Sequence, residues 1–295
     1  MQRTAVVTGA SSQLGVFLLP RLQEAGFRVL AYSRKAPESP VDVSTAVRWM
    51  QPGHAAGAAG YLVSCGPLDL ACSMVARQTE VRRVVAFSTS SVLTKAGSEN
   101  RGENLQMGKI LRTEERLSVL CAEREIALAL IRPTLIYGCG LDRNISLMAR
   151  VGRRFGFIPV ASEAAGLRQP VHADDLATLA VAYLLSDTML SLESVACGGS
   201  TLSYREMMEK TAVACGPWVR TLTLNTHILA AAAWAASFLP GLRSVNTEMV
   251  RRQGRDMVFD DSVLRAALDY DPRPFQPGPG DLEIPDFAAE LQLGR

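Results

Sequence analysis

The sequence predicts an α/β fold built on a parallel sheet, and three observations lead there. A β-branched run, Ala5-Val6-Val7-Thr8, leads into a turn bearing Gly9 and then an apolar helix pattern at Leu14, Phe17, Leu18 and Leu22. Strand-like and helical segments alternate through the first half of the chain, as they must when parallel strands are joined by crossover helices. At 295 residues the chain can bury a large core, as one big domain or as a large and a smaller one.

Each element has its own reason. The opening strand, turn and helix close at Gly26, and a second apolar run, Val29-Leu30-Ala31-Tyr32, follows. A turn of this length leaves backbone N–H groups free at a helix N-terminus, where they and the helix dipole hold a pyrophosphate. Gly9 permits the turn and Gly15 lets the helix approach the strand, while Ser12 or Gln13 stands where a middle glycine is usual. Strands are expected over 61–64, 84–88 and 127–131, the last halted by Arg132-Pro133, and helices over 68–76 and 110–122. Beyond residue 140 the pattern loosens, with helices over 145–155 and 176–185 and short strands at 157–158 and 195–196. The capping box Ser203-Tyr204-Arg205-Glu206 opens a further helix, and 271–280 is an extended Pro/Gly-rich tail. The expected architecture is a doubly wound, Rossmann-type parallel sheet with a smaller, mostly helical C-terminal domain that holds substrate. Residues 1–165 form the nucleotide-binding part and 166–295 the remaining sheet elements and the smaller domain.

Composition excludes several classes. Charged residues are 20% and the net charge is +2, which argues against a nucleic-acid surface. Cys65, Cys72, Cys121, Cys139, Cys197 and Cys215 form no C-x-x-C pair and read as reduced core residues. Three scattered histidines, His54, His172 and His227, argue against a metal centre. The longest apolar segment, 228–239, is short of the roughly 20 residues that span a bilayer. It suits a packing helix or an apolar pocket wall better than peripheral membrane contact. With the first strand beginning at once, there is no room for a signal peptide and a cytoplasmic location is expected.

Four segments together resemble the extended short-chain dehydrogenase/reductase superfamily, in its NAD(P)-dependent epimerase/dehydratase group. They are the opening turn, Phe87-Ser88-Thr89-Ser90-Ser91, Arg132-Pro133-Thr134-Leu135-Ile136-Tyr137-Gly138, and Arg168-Gln169-Pro170-Val171-His172-Ala173-Asp174-Asp175-Leu176-Ala177. The resemblance implies a cofactor cradle at Thr8, Gly9, Ser11, Ser12, Gln13, Leu14 and Gly15. It implies contacts to the adenosine half from Ser64, Cys65 and Gly66, and contacts near the nicotinamide from Ser88, Pro133 and Thr134. Ser90 matches the group's catalytic Ser/Thr, with Ser91, Arg168 and His172 on the substrate side. His172 reads better as a core histidine bonded to backbone. Asp174 and Asp175 are expected to bond the N–H groups that open the next helix.

Cofactor choice follows from the end of the second strand. Tyr32-Ser33-Arg34-Lys35 offers no carboxylate until Glu38, and a guanidinium suits a 2′-phosphate. NADP(H) is therefore expected over NAD(H), with Ser33, Arg34 and Lys35 as contacts, unless the two cations are a solvated loop pair. The departure from the group is its Tyr-x-x-x-Lys pair, a helical i, i+4 arrangement in which the ammonium lowers the phenol pKa. No tyrosine lies between Ser91 and Arg132. Lys109 stands in about the right place, with Leu105 four residues before it. Tyr137, or an ammonium from Lys95, could substitute.

The leading functional reading is an NADP(H)-dependent epimerase, dehydratase or reductase acting on a hydroxyl or carbonyl carbon of a nucleotide-sugar-like substrate. Ser90, Tyr137 and Lys109 are its candidate catalytic residues. A second is a non-catalytic NADP(H)-binding structural or regulatory protein, and a third a reductase of an apolar isoprenoid- or sterol-like substrate, walled by Trp234, Phe238 and Leu242. The oligomeric state stays open, with a homodimer the form the resemblance implies.

Overall fold

The structure is a computed structural model and describes residues 3–34, 46–51, 57–94, 101–236 and 247–285. Lys35, Glu38, His54, Lys95, Phe238 and Leu242 lie outside the described residues. In chain order the first half runs β1 (Arg3–Thr8), α1 (Gln13–Glu24), β2 (Phe27–Tyr32), β3 (Val47–Met50), β4 (Tyr61–Ser64), α2 (Leu68–Arg77), β5 (Arg83–Phe87), α3 (Ser91–Thr94), α4 (Arg101–Glu123) and β6 (Ala127–Pro133). The second half runs β7 (Ile136–Tyr137), α5 (Ile145–Phe155), β8 (Phe157–Ala161), β9 (Leu167–Arg168), β10 (Val171–His172), α6 (Ala173–Leu185), β11 (Leu192–Ala196), β12 (Leu202–Ser203), α7 (Tyr204–Cys215), β13 (Arg220–Leu224), α8 (Thr226–Ala236), α9 (Thr247–Arg251) and α10 (Ser262–Leu268).

Seven strands make one sheet in the order β11-β6-β5-β4-β1-β2-β3, with every pair parallel. Parallel strands are covered on both faces, so β5 buries every residue and β1 all but its first two, rather than alternating. Helices α1 and α6 pack one face around Leu18, Leu22, Leu176 and Leu179. On the other face α2 and α4 pack around Leu68, Val75, Leu117 and Cys121. Each fully buried leucine stabilises the fold by roughly 1.5–3 kcal/mol. A third core, with Ile145, Ile158, Met207 and Leu229, joins α5, α7 and α8 to the small parallel pair β8–β13. This is the doubly wound sheet with a smaller, largely helical C-terminal part that the sequence predicts.

Helix α5 spans the residues expected of it, and the Ser203/Glu206 capping box that opens α7 is fully formed. Helix α4 starts at Arg101, nine residues before the apolar pattern begins, and its first turn carries Glu103 to the cleft. Strand β13 escapes the sequence reading although Thr and Leu alternate over 221–224, because the segment is only five residues long and mostly exposed. Behind the carboxyl ends of β5 and β6, the buried Arg132 guanidinium grips Glu114 of α4 and reaches Glu193 of β11. Ser88 donates to the same Glu114 carboxylate. A buried guanidinium is tolerable only when paired in this way.

Candidate functional site

The turn between β1 and α1 is shaped by contacts that exclude side chains. Gly9 has φ +69°, and a Cβ there would lie 2.7 Å from the Cys65 carbonyl carbon and from the Gly66 nitrogen. A Cβ on Gly15 would lie 2.1 Å from the Ala10 carbonyl oxygen. The turn therefore sits against the end of β4, between the two strands where the winding of the sheet reverses. Ligands of open α/β sheets bind in that crevice. Thr8 and Ser64 are fully buried, with the Thr8 hydroxyl donating to Ser64 Oγ at 3.2 Å. They brace the turn from beneath. Ser12 caps α1 by accepting from the Gly15 N–H, and the Ser11 and Ser33 hydroxyls meet at 2.7 Å. Leu14 points into the core. Cys65 is a free thiol, and burial pushes its pKa well above the usual range, so it carries no reactive thiolate. Arg34 is exposed directly after β2.

Gln13 Nε2 is buried with no hydrogen-bond partner among the described residues. Together with a glycine turn that leaves no room for side chains, this polar atom fits a pyrophosphate-bearing dinucleotide.

Gln13 also lines a cavity of about 590 Å³ that opens beyond the turn. Its near wall holds Thr89, Ser90, Ser91 and Thr134, and its far wall Arg168, Tyr204, Arg252, Met257 and Phe259. The Ser90 N–H donates to the Pro133 carbonyl at 3.1 Å, which ties the end of β5 to the end of β6 and keeps Ser90 in the cavity wall. Thr134 is held by hydrogen bonds to the Gln169 and Ala196 carbonyls. Arg168 donates to the carbonyls of Leu167 at 2.8 Å, Arg255 at 2.6 Å and Arg252, and its guanidinium lies 5.6 Å from the Tyr204 ring centroid. Burial works against its charge and outweighs the pull of Tyr204 and Asp256, so its pKa is lowered. The Tyr204 phenol is pushed up to about 12 by burial, against the pull of Arg168, so it remains a neutral phenol at physiological pH.

The structure brings Gln13, Ser90, Ser91, Thr134 and Arg168 to one cavity and leaves other sequence candidates elsewhere. Tyr137 does not line it: the side chain is 2% exposed, packed edge-on against His172 and Phe275, and burial drives its pKa far above the usual phenol range. Lys109 is 71% exposed and faces Asp69 of α2 at 3.8 Å, and Leu105 is 69% exposed. The face of α4 at the cleft is instead the one carrying Glu103. His172 is the N-cap of α6: its Nδ1 accepts from the Asp174 N–H at 3.0 Å and its Nε2 lies 3.2 Å from Asp281. Asp174 and Asp175 do not cap that helix, as the sequence suggested. They hold the guanidiniums of Arg21 and Arg273. Ser88 is engaged by Glu114, behind the cavity wall.

Sequence reading missed Glu103, Asp142, Tyr204 and Arg252 as wall residues. Tyr204 reaches the cavity only because β12 pairs antiparallel with β9, which sets it beside Arg168. No local motif marks Arg252. Among the described residues no cluster of His, Cys, Asp or Glu has the make-up of a metal site, and no helix is long and apolar enough to cross a membrane.

No protein-family model and no curated protein sequence matches the chain. Solved structures do. MoeE5 in complex with UDP-glucose and NAD is 18% identical and aligns over 99% of this chain and 100% of its own, with a TM-score of 0.66. The UDP-glucuronic acid 4-epimerase from Bacillus cereus, in complex with UDP-glucuronic acid and NAD, is 13% identical over 98% and 99% of the two chains, with a TM-score of 0.68. The epimerase Mth375 from Methanothermobacter thermautotrophicus is 12% identical over 95% and 90%, with a TM-score of 0.69. Along nearly its whole length the chain therefore shares the fold of these solved structures, the doubly wound architecture that the sequence resemblance implies.

Proposed function

We propose that the chain binds a nicotinamide dinucleotide, NADP(H) in preference to NAD(H), and acts on a hydroxyl or carbonyl carbon of a nucleotide-sugar-like substrate. The observation that carries this reading is one continuous site. A glycine turn with no room for side chains opens, through Gln13, into a cavity walled by Ser90, Arg168 and Arg252 among others. Gly9, Gly15, Gly66 and the helix N-terminus of α1 would hold the pyrophosphate, and Gln13 would meet the buried end of the dinucleotide. When bound, that group supplies a hydride donor or acceptor. Ser90 would orient the substrate oxygen by hydrogen bonding, and Arg168 lies where an anionic substrate group would be met.

Solved structures of the same fold that carry NAD and UDP-sugars support the substrate class. The exposed Arg34, with Ser33 before it, supports the 2′-phosphate preference. The charged groups gathered around Arg168 favour a sugar nucleotide over an isoprenoid- or sterol-like ligand, and Trp234, 61% exposed on α8, is not part of this cavity. A positioned acid or base contributes 10²–10⁴-fold in rate. With Tyr137 buried and Leu105 and Lys109 outside the cavity, turnover is expected to be slow, and the same observation supports a non-catalytic NADP(H)-binding protein as the second reading.

The cofactor assignment is tested by titrating NADPH and NADH. NADPH should bind at least tenfold tighter, and Arg34→Ala should erase most of the difference. Equal affinities in the native protein would overturn the preference. Detectable conversion of a UDP-sugar by the loaded protein separates the enzyme reading from the non-catalytic one.

A further inference from the structure

One ion pair in the cavity wall joins residues 149 positions apart in the chain. Arg252 follows α9 in a short 3-10 turn, and Glu103 lies in the first turn of α4. The pair is bidentate: Arg252 Nη1 and Nη2 donate to the two Glu103 oxygens at 3.1 and 3.0 Å. The side chains are only 13% and 16% exposed, and both form part of the cavity wall. Arg252 is positioned from two further sides, with Nε donating to the Glu248 carbonyl at 3.2 Å and its own carbonyl accepting from Arg168. The guanidinium thus has a fixed place, next to the cavity's other buried guanidinium.

A partly desolvated guanidinium needs an anion, and a planar fork takes a carboxylate or a phosphate in the same bidentate manner. The other carboxylate on the wall, Asp142, is committed to the N–H groups of Asn144 and Ser146 and to the Ser146 hydroxyl. Glu103 is different, because its carboxylate comes from the opposite lobe and occupies the place on Arg252 that a ligand's own anion would need. We propose that Glu103 is a built-in competitor for Arg252. It keeps the ligand-free cleft latched, and a pyrophosphate-bearing ligand opens the latch by taking Arg252 for itself. The pair then selects for anionic ligands, because a neutral molecule of the same size cannot replace the carboxylate. The choice of pyrophosphate rests on the nucleotide-sugar reading above; the latch does not.

The test is calorimetric titration of inorganic pyrophosphate and, separately, of UDP-glucose into the native protein, Glu103→Gln and Glu103→Gln/Arg252→Met. Glutamine keeps the shape and removes the charge. Pyrophosphate should bind Glu103→Gln at least tenfold tighter than the native protein, and the double variant should lose that gain. Without ligand, amide hydrogen exchange across 102–108 and 250–256 should be faster in Glu103→Gln than in the native protein. Unchanged or weaker pyrophosphate binding by Glu103→Gln, or unchanged exchange, overturns the latch. If pyrophosphate follows the expected pattern while UDP-glucose binds none of the forms, the latch stands and the nucleotide-sugar reading fails. If UDP-glucose binds all three forms alike, the reading stands and the latch fails.

Discussion

The two halves of the cleft are built by different means. Around Gly9, Gly15 and Gly66 the shape is set by backbone atoms in van der Waals contact, and the side chains of Thr8, Ser64 and Leu14 only brace it from below. Around Arg168 and Arg252 the shape is set by long side chains whose partners come from far along the chain, as with Glu103 and Arg252, 149 residues apart. A backbone cradle cannot relax around an added atom, whereas a side-chain wall can exchange partners. The first half should therefore be intolerant of any substitution that adds atoms, and the second responsive to charge.

The largest expected effect breaks the rigid half. Gly9→Val puts a branched side chain where even a Cβ would be 2.7 Å from the β4 backbone, at a positive φ. Binding of both dinucleotides should vanish, with a stability loss of more than about 3 kcal/mol in denaturant titration. Native-like affinity would show that the turn is not the cradle.

Next comes the support behind both halves. Glu114→Ala leaves the buried Arg132 with only the half-exposed Glu193, and should cost about 3–5 kcal/mol. Denaturant unfolding measures it, and a loss under about 1 kcal/mol would mean that the site is held by packing alone.

A smaller effect is pH-dependent. Burial acts to raise the Asp174 carboxyl, but hydrogen bonds and charge from Arg21 and Arg273 outweigh it and hold the group below the usual carboxylate range. A carboxyl depressed in the folded state contributes stability above its unfolded pKa, near 3.9, and loses that contribution as pH falls through the folded value. Arg273→Ala should therefore cost no more than about 1 kcal/mol at neutral pH, given an Arg273 side chain 43% exposed, and the cost should shrink below about pH 4. Stability curves of the two proteins over that range check it, and a difference that stays constant into acid would contradict the assignment.

The smallest effect concerns Tyr137. Because the side chain is buried beside Phe275 and outside the cavity, Tyr137→Phe should change NADPH affinity and any turnover by less than about twofold. A drop of a hundredfold, the scale of a lost general acid, would restore it to the chemistry.

The contrast between the halves also explains what the sequence could reveal. The cradle is local: strand, glycine turn and helix follow each other within residues 3–24, so apolar pattern and turn chemistry were enough to find it. Ser90 and Thr134 were legible only through the resemblance, which picks them out just beyond two buried strands, and both line the cavity. Arg252 and Glu103 were not, because an ion pair across the cleft leaves no local pattern in either segment. Lys109 and Tyr137 misled in a different way. Each has suitable chemistry at a suitable place in the chain, but the turn of α4 carries Lys109 towards Asp69, and Tyr137, paired with His172 on β7 and β10, goes into the third core.

That a dinucleotide and a sugar nucleotide meet in one cleft is tested most directly by fluorescence titration of NADPH, with and without saturating UDP-glucose. The account predicts one NADPH per chain and a change in the bound nicotinamide emission when UDP-glucose is added, since the cradle and the cavity share Gln13. Failure of NADPH to bind, or bound NADPH that is indifferent to UDP-glucose, would contradict it.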